Sequence, residues 1–289
     1  MKKQMNHKKR KLKKKLASMT AIVLVLAVGV WGTMAYLSTL SNKKENTFTG
    51  SKGIALKLTE PYWDETPGAN DGVTDLTELG KDTASSYTPG TKIGKNPILT
   101  NSSTDADSPE WVALAVSYTI GDKAVSYTQL KYLIEKIAFN TTTADDGYWI
   151  AVDPLASGTL NEDKGYMIYL YSKVLAKDAA TKPLFTSVTI KSSDDLEGST
   201  TDGYVTDLNT ALGITADDQK YKINGNLPAF QIDVIGAAIK NEYKKDGDTS
   251  TSAEAWADLA TEKQTELTNN LVGLLTSKLS DASKAVGTP

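Results

Sequence analysis

A β-rich sandwich or barrel with helical insertions is the fold class that this 289-residue sequence predicts. Three observations carry that expectation. Short runs rich in β-branched and aromatic residues recur along the chain, each bounded by Gly, Pro, Asp or Asn. Two runs, at 111–120 and 229–239, are long and apolar on both faces, the pattern of strands in the middle of a sheet. After Thr251 the apolar spacing changes to that of a helix.

The first 35 residues stand apart from this pattern. Nine Lys or Arg and no acid occupy residues 1–16, an apolar run follows from Ala21 to Trp31, and Gly32-Thr33-Met34-Ala35 supplies small residues before Tyr36. That order is the n-region, h-region and cleavage site of a secretory signal peptide, with cleavage expected between Ala35 and Tyr36. The alternative is an uncleaved anchor helix, because the uncharged span from Leu16 to Asn42 is long enough to cross a bilayer. The basic cluster is then the cytoplasmic end of an export segment and needs no nucleic-acid partner.

Removal of that segment takes nine of the 32 basic residues and none of the 35 acidic ones, leaving a net charge of about −12. An acidic chain is a poor partner for nucleic acid or an anionic membrane, and the membrane is expected only through the uncleaved signal. The single histidine, His7, leaves with the signal, and there is no cysteine. A Ser-His-Asp triad, a Cys nucleophile and a His/Cys zinc site are therefore outside this chain's means. The lack of disulfides in an exported chain fits a domain with a large apolar core from a Gram-positive bacterium.

Residues 36–50 carry Tyr36, Leu37, Leu40 and Phe48, interrupted by Lys43-Lys44-Glu45-Asn46, and would not fold alone. Ile54 to Leu58 alternates at period two and reads as a strand ended by Pro61-Tyr62-Trp63. The acidic stretch 64–82 contains Asn70-Asp71-Gly72-Val73-Thr74-Asp75, in which Asp71 and Asp75 are weak calcium candidates. Its spacing departs from the oxygen-ligand loop template, so a solvated loop is expected and no cofactor. Pro89-Gly90 sets a turn, and 92–101 follows as one short strand that Pro97 places at an edge.

After the central strand at 111–120, Ser126-Tyr-Thr-Gln129 has the form of a capping box. Leu130, Leu133, Ile134, Ile137 and Ala138 then follow at helical spacing. Further strands are expected at 148–152, 165–171 and 184–190, then an insertion at 191–228 with a short helix near 206–212. A second central strand is expected at 229–239. Thr251-Ser-Ala-Glu254 reads as a second capping box before the apolar series Trp256, Leu259, Leu267, Leu271, Leu274 and Leu275, a helical tail over 251–280 that packs on the sheets. The expected organisation is thus a signal peptide over 1–35, a segment over 36–50, and one sandwich domain over 51–289.

Several of these stretches carry a family resemblance. Gly32-Thr33-Met34-Ala35-Tyr36-Leu37-Ser38 followed by Asn46-Thr47-Phe48-Thr49-Gly50 resembles the TasA/camelysin family. Its members typically show Gly-Thr-Trp-Ala-Tyr-Phe-Ser and then Asn-Thr-Phe-x-x-Gly before a first strand. Glu60-Pro61-Tyr62-Trp63-Asp64, Ile93-x-Lys95-x-Pro97 after Pro89-Gly90, Pro183-Leu184-Phe185 and Phe230-Gln231-Ile232 are similar in order and spacing. Met34 stands where Trp is usual, and the 191–228 insertion is unfamiliar.

The resemblance implies processing by a dedicated ER-type signal peptidase, secretion to the extracellular matrix or cell surface, a jelly-roll-like β-sandwich, and assembly into biofilm-matrix fibres. It also implies growth by donor-strand complementation, with Tyr36, Leu37, Leu40 and Phe48 of one copy filling a sheet of the next. The partner is then another copy of the chain, with other matrix or cell-surface proteins as further candidates. The rival readings are a flexible or self-paired 36–50 segment and a monomeric surface adhesin or fibre-anchoring accessory protein. Camelysin-type members have been described as metalloproteases, but without histidine that activity does not carry over. An enzyme is not expected: the acid pairs Asp145-Asp146, Asp194-Asp195 and Asp217-Asp218 all lie in turn-like stretches.

Overall fold

The computed structural model describes residues 54–66, 76–104, 108–156, 158–196, 203–215, 218, 220–223 and 227–287. The expected signal peptide over 1–35, the expected cleavage pair Ala35 and Tyr36, the candidate donor residues Tyr36, Leu37, Leu40 and Phe48, and the calcium candidates Asp71 and Asp75 lie outside them.

In chain order the strands are β1 (Leu56–Thr59), β2 (Lys92–Gly94), β3 (Ile98–Asn101), β4 (Glu110–Ile120), β5 (Lys123–Val125), β6 (Ile134–Ile137) and β7 (Trp149–Asp153). They continue with β8 (Leu155–Ala156), β9 (Thr159–Leu160), β10 (Tyr166–Tyr171), β11 (Ser187–Ile190), β12 (Phe230–Lys240), β13 (Lys244–Lys245) and β14 (Asp248–Ser252). The largest sheet runs β12-β4-β10-β7, all antiparallel, with β5 returning onto the end of β4. A three-stranded sheet β2-β11-β6 and a β1-β3 pair complete the main strand framework. The chain is therefore β-rich, with several sheets and few helices.

Alternation along β4 explains why it reads as apolar throughout. Val112, Leu114, Val116 and Tyr118 enter a core shared with Leu56, Leu99, Ile93 and Val188 from the smaller sheets. Trp111, Ala113 and Ala115 point the other way, into a second core with Ile168 and Ala237. That second face is closed by the sixteen-residue helix Thr261–Thr276, whose Leu267, Leu271 and Leu275 recur every fourth residue and are all buried. A strand sandwiched this way is apolar on both faces because two different layers cover it.

The predicted strands at 54–58, 111–120, 148–152 and 165–171 and the helix near 206–212 are present within a residue or two. Five expectations need correction. Residues 92–101 form two strands in different sheets, β2 on β11 and β3 on β1. Between them Lys95 turns inward to Glu60, and Asn96 accepts the Tyr62 N–H at 2.6 Å, so the chain changes layers there. After Ser126 the capping box forms as expected, but the helix spans only Tyr127–Leu130. Ile134 and Ile137 then pair with Ile190 and Val188 of β11, and the Ile137 N–H is held by the Tyr127 hydroxyl at 2.9 Å. The helical spacing of Leu130, Leu133, Ile134 and Ile137 was a spacing of core positions only.

The strand expected over 184–190 begins at Ser187, with Leu184 and Phe185 buried ahead of it. No capping box forms at Thr251. That residue ends a Ser/Thr turn on Asp248 within β14, and the long helix starts ten residues later. Finally, β12 is not central: it stands at the end of its ladder among the described residues. The 191–228 insertion is integrated, since Val205, Leu208, Tyr221 and Ile223 belong to the first core.

Two of the stretches quoted for the family resemblance meet at one point. The Lys95 ammonium lies 2.8 and 2.9 Å from the two Glu60 carboxylate oxygens and 5.2 Å from the centre of the Trp63 ring, with Lys95 fully buried. Burial pushes the Glu60 carboxyl up, and the Lys95 charge pulls against it. Gly80 backs onto this region so closely that a Cβ would sit 1.7 Å from the Gly94 carbonyl oxygen.

Candidate functional site

The outer edge of β12 follows from its register. Asn241 donates to the Pro109 carbonyl at 2.8 Å and Gly121 donates to the Ala229 carbonyl at 2.7 Å, and the ladder between them is unbroken. Odd-numbered residues therefore bond to β4, and Phe230, Ile232, Val234, Gly236, Ala238 and Lys240 turn their backbone N–H and C=O groups the other way. Among the described residues no strand pairs with that side. The edge is eleven residues long, roughly 35 Å. Its side chains are nevertheless well packed: Phe230, Ile232 and Val234 enter one core and Ala237 the other.

At the C-terminal end of β12 the edge opens into a groove of about 950 Å³. Ile54, Ala238 and Leu274 give it an apolar floor, and Lys240, Glu242, Lys244, Lys263 and Glu266 a charged rim. Lys263 and Glu266 pair at 2.7 Å, and Asn270 donates to the Tyr243 hydroxyl at 3.4 Å. The groove is thus built by one strand end, one helix face and the first described residue of the chain.

That first residue leads directly to a buried carboxylate. The Ala55 N–H reaches Ser103 Oγ at 3.0 Å and Glu110 Oε1 at 3.2 Å, and Ser103 Oγ donates to the same Glu110 oxygen at 2.5 Å. Glu110 is fully buried, and burial pushes its carboxyl up to about 6 against those two hydrogen bonds. Its Oε2 has no hydrogen-bond partner among the described residues. Lys240, a groove residue, stands directly across the ladder from it.

Of the acid pairs visible in the sequence, Asp145-Asp146 lies in a turn as expected, whereas Asp194-Asp195 lies in the short helix Ser193–Leu196, and Asp217 is outside the described residues. Asp146 pairs with Lys182 at 2.5 Å, Asp195 accepts from Ser192, and Asp218 accepts from Thr215, all at exposed positions. Among the described residues no three His, Cys, Asp or Glu side chains cluster to hold a metal, and no helix is long and apolar enough to cross a membrane. The β12 edge and Glu110 escaped sequence reasoning. An acid placed against the apolar run at Trp111 was the available sign of the second; nothing local marks the first. Compared with known proteins, the chain matches no family model, no curated protein and no solved structure.

Proposed function

We propose that this chain is an exported structural subunit of an extracellular biofilm-matrix fibre, folded as a jelly-roll-type sandwich and joined head to tail through residues 36–50. The observation that carries the reading is the outer edge of β12, which ends in a groove beside Ile54. An open edge on a strand packed on both faces is suited to β-augmentation, in which the added strand gains backbone hydrogen bonds and seats alternate side chains. Fifteen residues of extended chain span roughly 50 Å, enough to run along the whole edge. Tyr36, Leu37, Leu40 and Phe48 supply apolar side chains to such a strand. A contact that joins unlike surfaces of two copies does not close on itself and propagates as a filament.

The processed chain beginning at Tyr36 is expected to form filaments visible by electron microscopy, and a chain beginning at Gly50 to stay monomeric. Filaments from the shorter chain would sink the donor-strand reading. A folded Tyr36 chain that stays monomeric at every concentration and captures a glycan or another surface protein would favour the adhesin.

A further inference from the structure

We propose that Glu110 is a protonation-operated latch on the root of the N-terminal segment: protonated, it keeps Ala55 docked at the end of the groove, and ionised, it lets that root open. Its bearing on assembly rests on the reading above, but the latch itself is a property of the single chain.

The Glu110 backbone exchanges two hydrogen bonds with Leu175, at 2.9 and 2.8 Å, and its neighbours are tied to β12, Pro109 accepting from Asn241 at 2.8 Å and Trp111 standing opposite Ile239. Ser103 is held by the Asn101 side chain, which accepts the Ser103 N–H at 3.0 Å and donates to the Ser108 and Leu175 carbonyls. Ala55 is tied less firmly: its N–H meets Ser103 and Glu110, and its carbonyl accepts one bond from Ser102 at 2.8 Å. Water can therefore reach the buried carboxylate at least structural cost by displacing Ala55, the residue next to groove-lining Ile54.

Among the described residues no counter-charge relieves Glu110 in the docked state. The cations on the elements around it are Lys240 across the ladder, Lys57 on β1, and Lys173 and Lys177 beside Leu175; β3 brings the neutral Asn101. None of these lysines forms an ion pair with Glu110, and the Lys177 ammonium donates to the Thr104 carbonyl at 3.0 Å. Asp105 and Asp107, in the connection before β4, lie outside the described residues. A carboxyl buried without a cation and with one oxygen unpartnered favours its neutral form.

The sign follows from linkage. The docked state raises the carboxyl from its ordinary 4.5 to about 6, so docking is most favoured below the ordinary value and loses that advantage as pH rises through about 6. The limiting effect is roughly thirtyfold in the opening equilibrium.

Hydrogen exchange on the purified full chain, corrected for intrinsic rates, reads the latch at the amides of residues 55–58. Between pH 5 and pH 7.5 their protection is expected to fall about eightfold, while that of β10 stays constant. Glu110→Gln is expected to remove the dependence. Ser103→Ala, which deletes a hydroxyl that stabilises the charged form, is expected to move the midpoint to higher pH, a shift that is read even if the Gln variant does not fold. Unchanged protection in the natural chain overturns the latch, as does the same pH dependence in Glu110→Gln or a parallel loss in β10. Filament formation plays no part in this readout, so the latch and the assembly reading fail separately.

Discussion

Lys95 and Glu60 show how far single residues can be read. In the sequence they are two polar positions 35 apart, and their neighbours Pro61 and Pro97 read only as strand breakers. Folding removes both charges from water and sets them 2.8 Å apart. Removing one partner strands the other, whereas replacing both by apolar groups removes the demand altogether. Lys95→Met is therefore expected to cost about 3–5 kcal/mol in urea or guanidinium unfolding. The double variant with Glu60→Leu should recover most of that loss. In the single variant the deficit should shrink as pH falls, because a protonated Glu60 needs no counter-charge. A single variant as stable as the natural chain would show that the pair carries no structural weight.

At the scale of elements, the expectations that succeeded rest on patterns that a local segment enforces by itself. The Ser126 capping box satisfies its own backbone donors, and the period-two run at β1 buries one set of side chains whatever its partners are. Those that failed asked local spacing to decide a long-range contest. Ile134 and Ile137 suit a helix face and a strand equally, and pairing with β11 decides for the strand. The long helix has the opposite history, since its Leu267, Leu271 and Leu275 stripe is visible but the surface it covers is not. That surface is the Trp111, Ala113 and Ala237 face of the main sheet, which would otherwise be exposed to water. Leu271→Ala is expected to cost about 2–5 kcal/mol by thermal or chemical unfolding, from lost burial plus the cavity left behind. A cost under about 0.5 kcal/mol would mean that the helix docks weakly.

At the scale of the whole molecule, assembly turns on which edge of a sheet is left for another strand. A proline at an even position of β12 removes a donor from the outer edge and leaves the bonds to β4 intact. Ala238→Pro is accordingly expected to leave a folded chain with a melting temperature within a few degrees of the natural one, and to abolish filaments seen by electron microscopy. Filaments of normal length from this variant would exclude the β12 edge as the docking line. By itself the sequence determined the β-rich class, the acidic balance, the absence of histidine and cysteine after residue 7, and the signal-like pattern at the start, because these depend on composition and near-neighbour period. Tertiary structure alone decided that β12 ends its ladder among the described residues, that 92–101 crosses between sheets, and that Glu110 sits beneath Ala55. Each is a pairing between residues tens to more than a hundred positions apart, and a strand buried by a helix on one face and a sheet on the other looks, in sequence, the same as one flanked by strands on both edges.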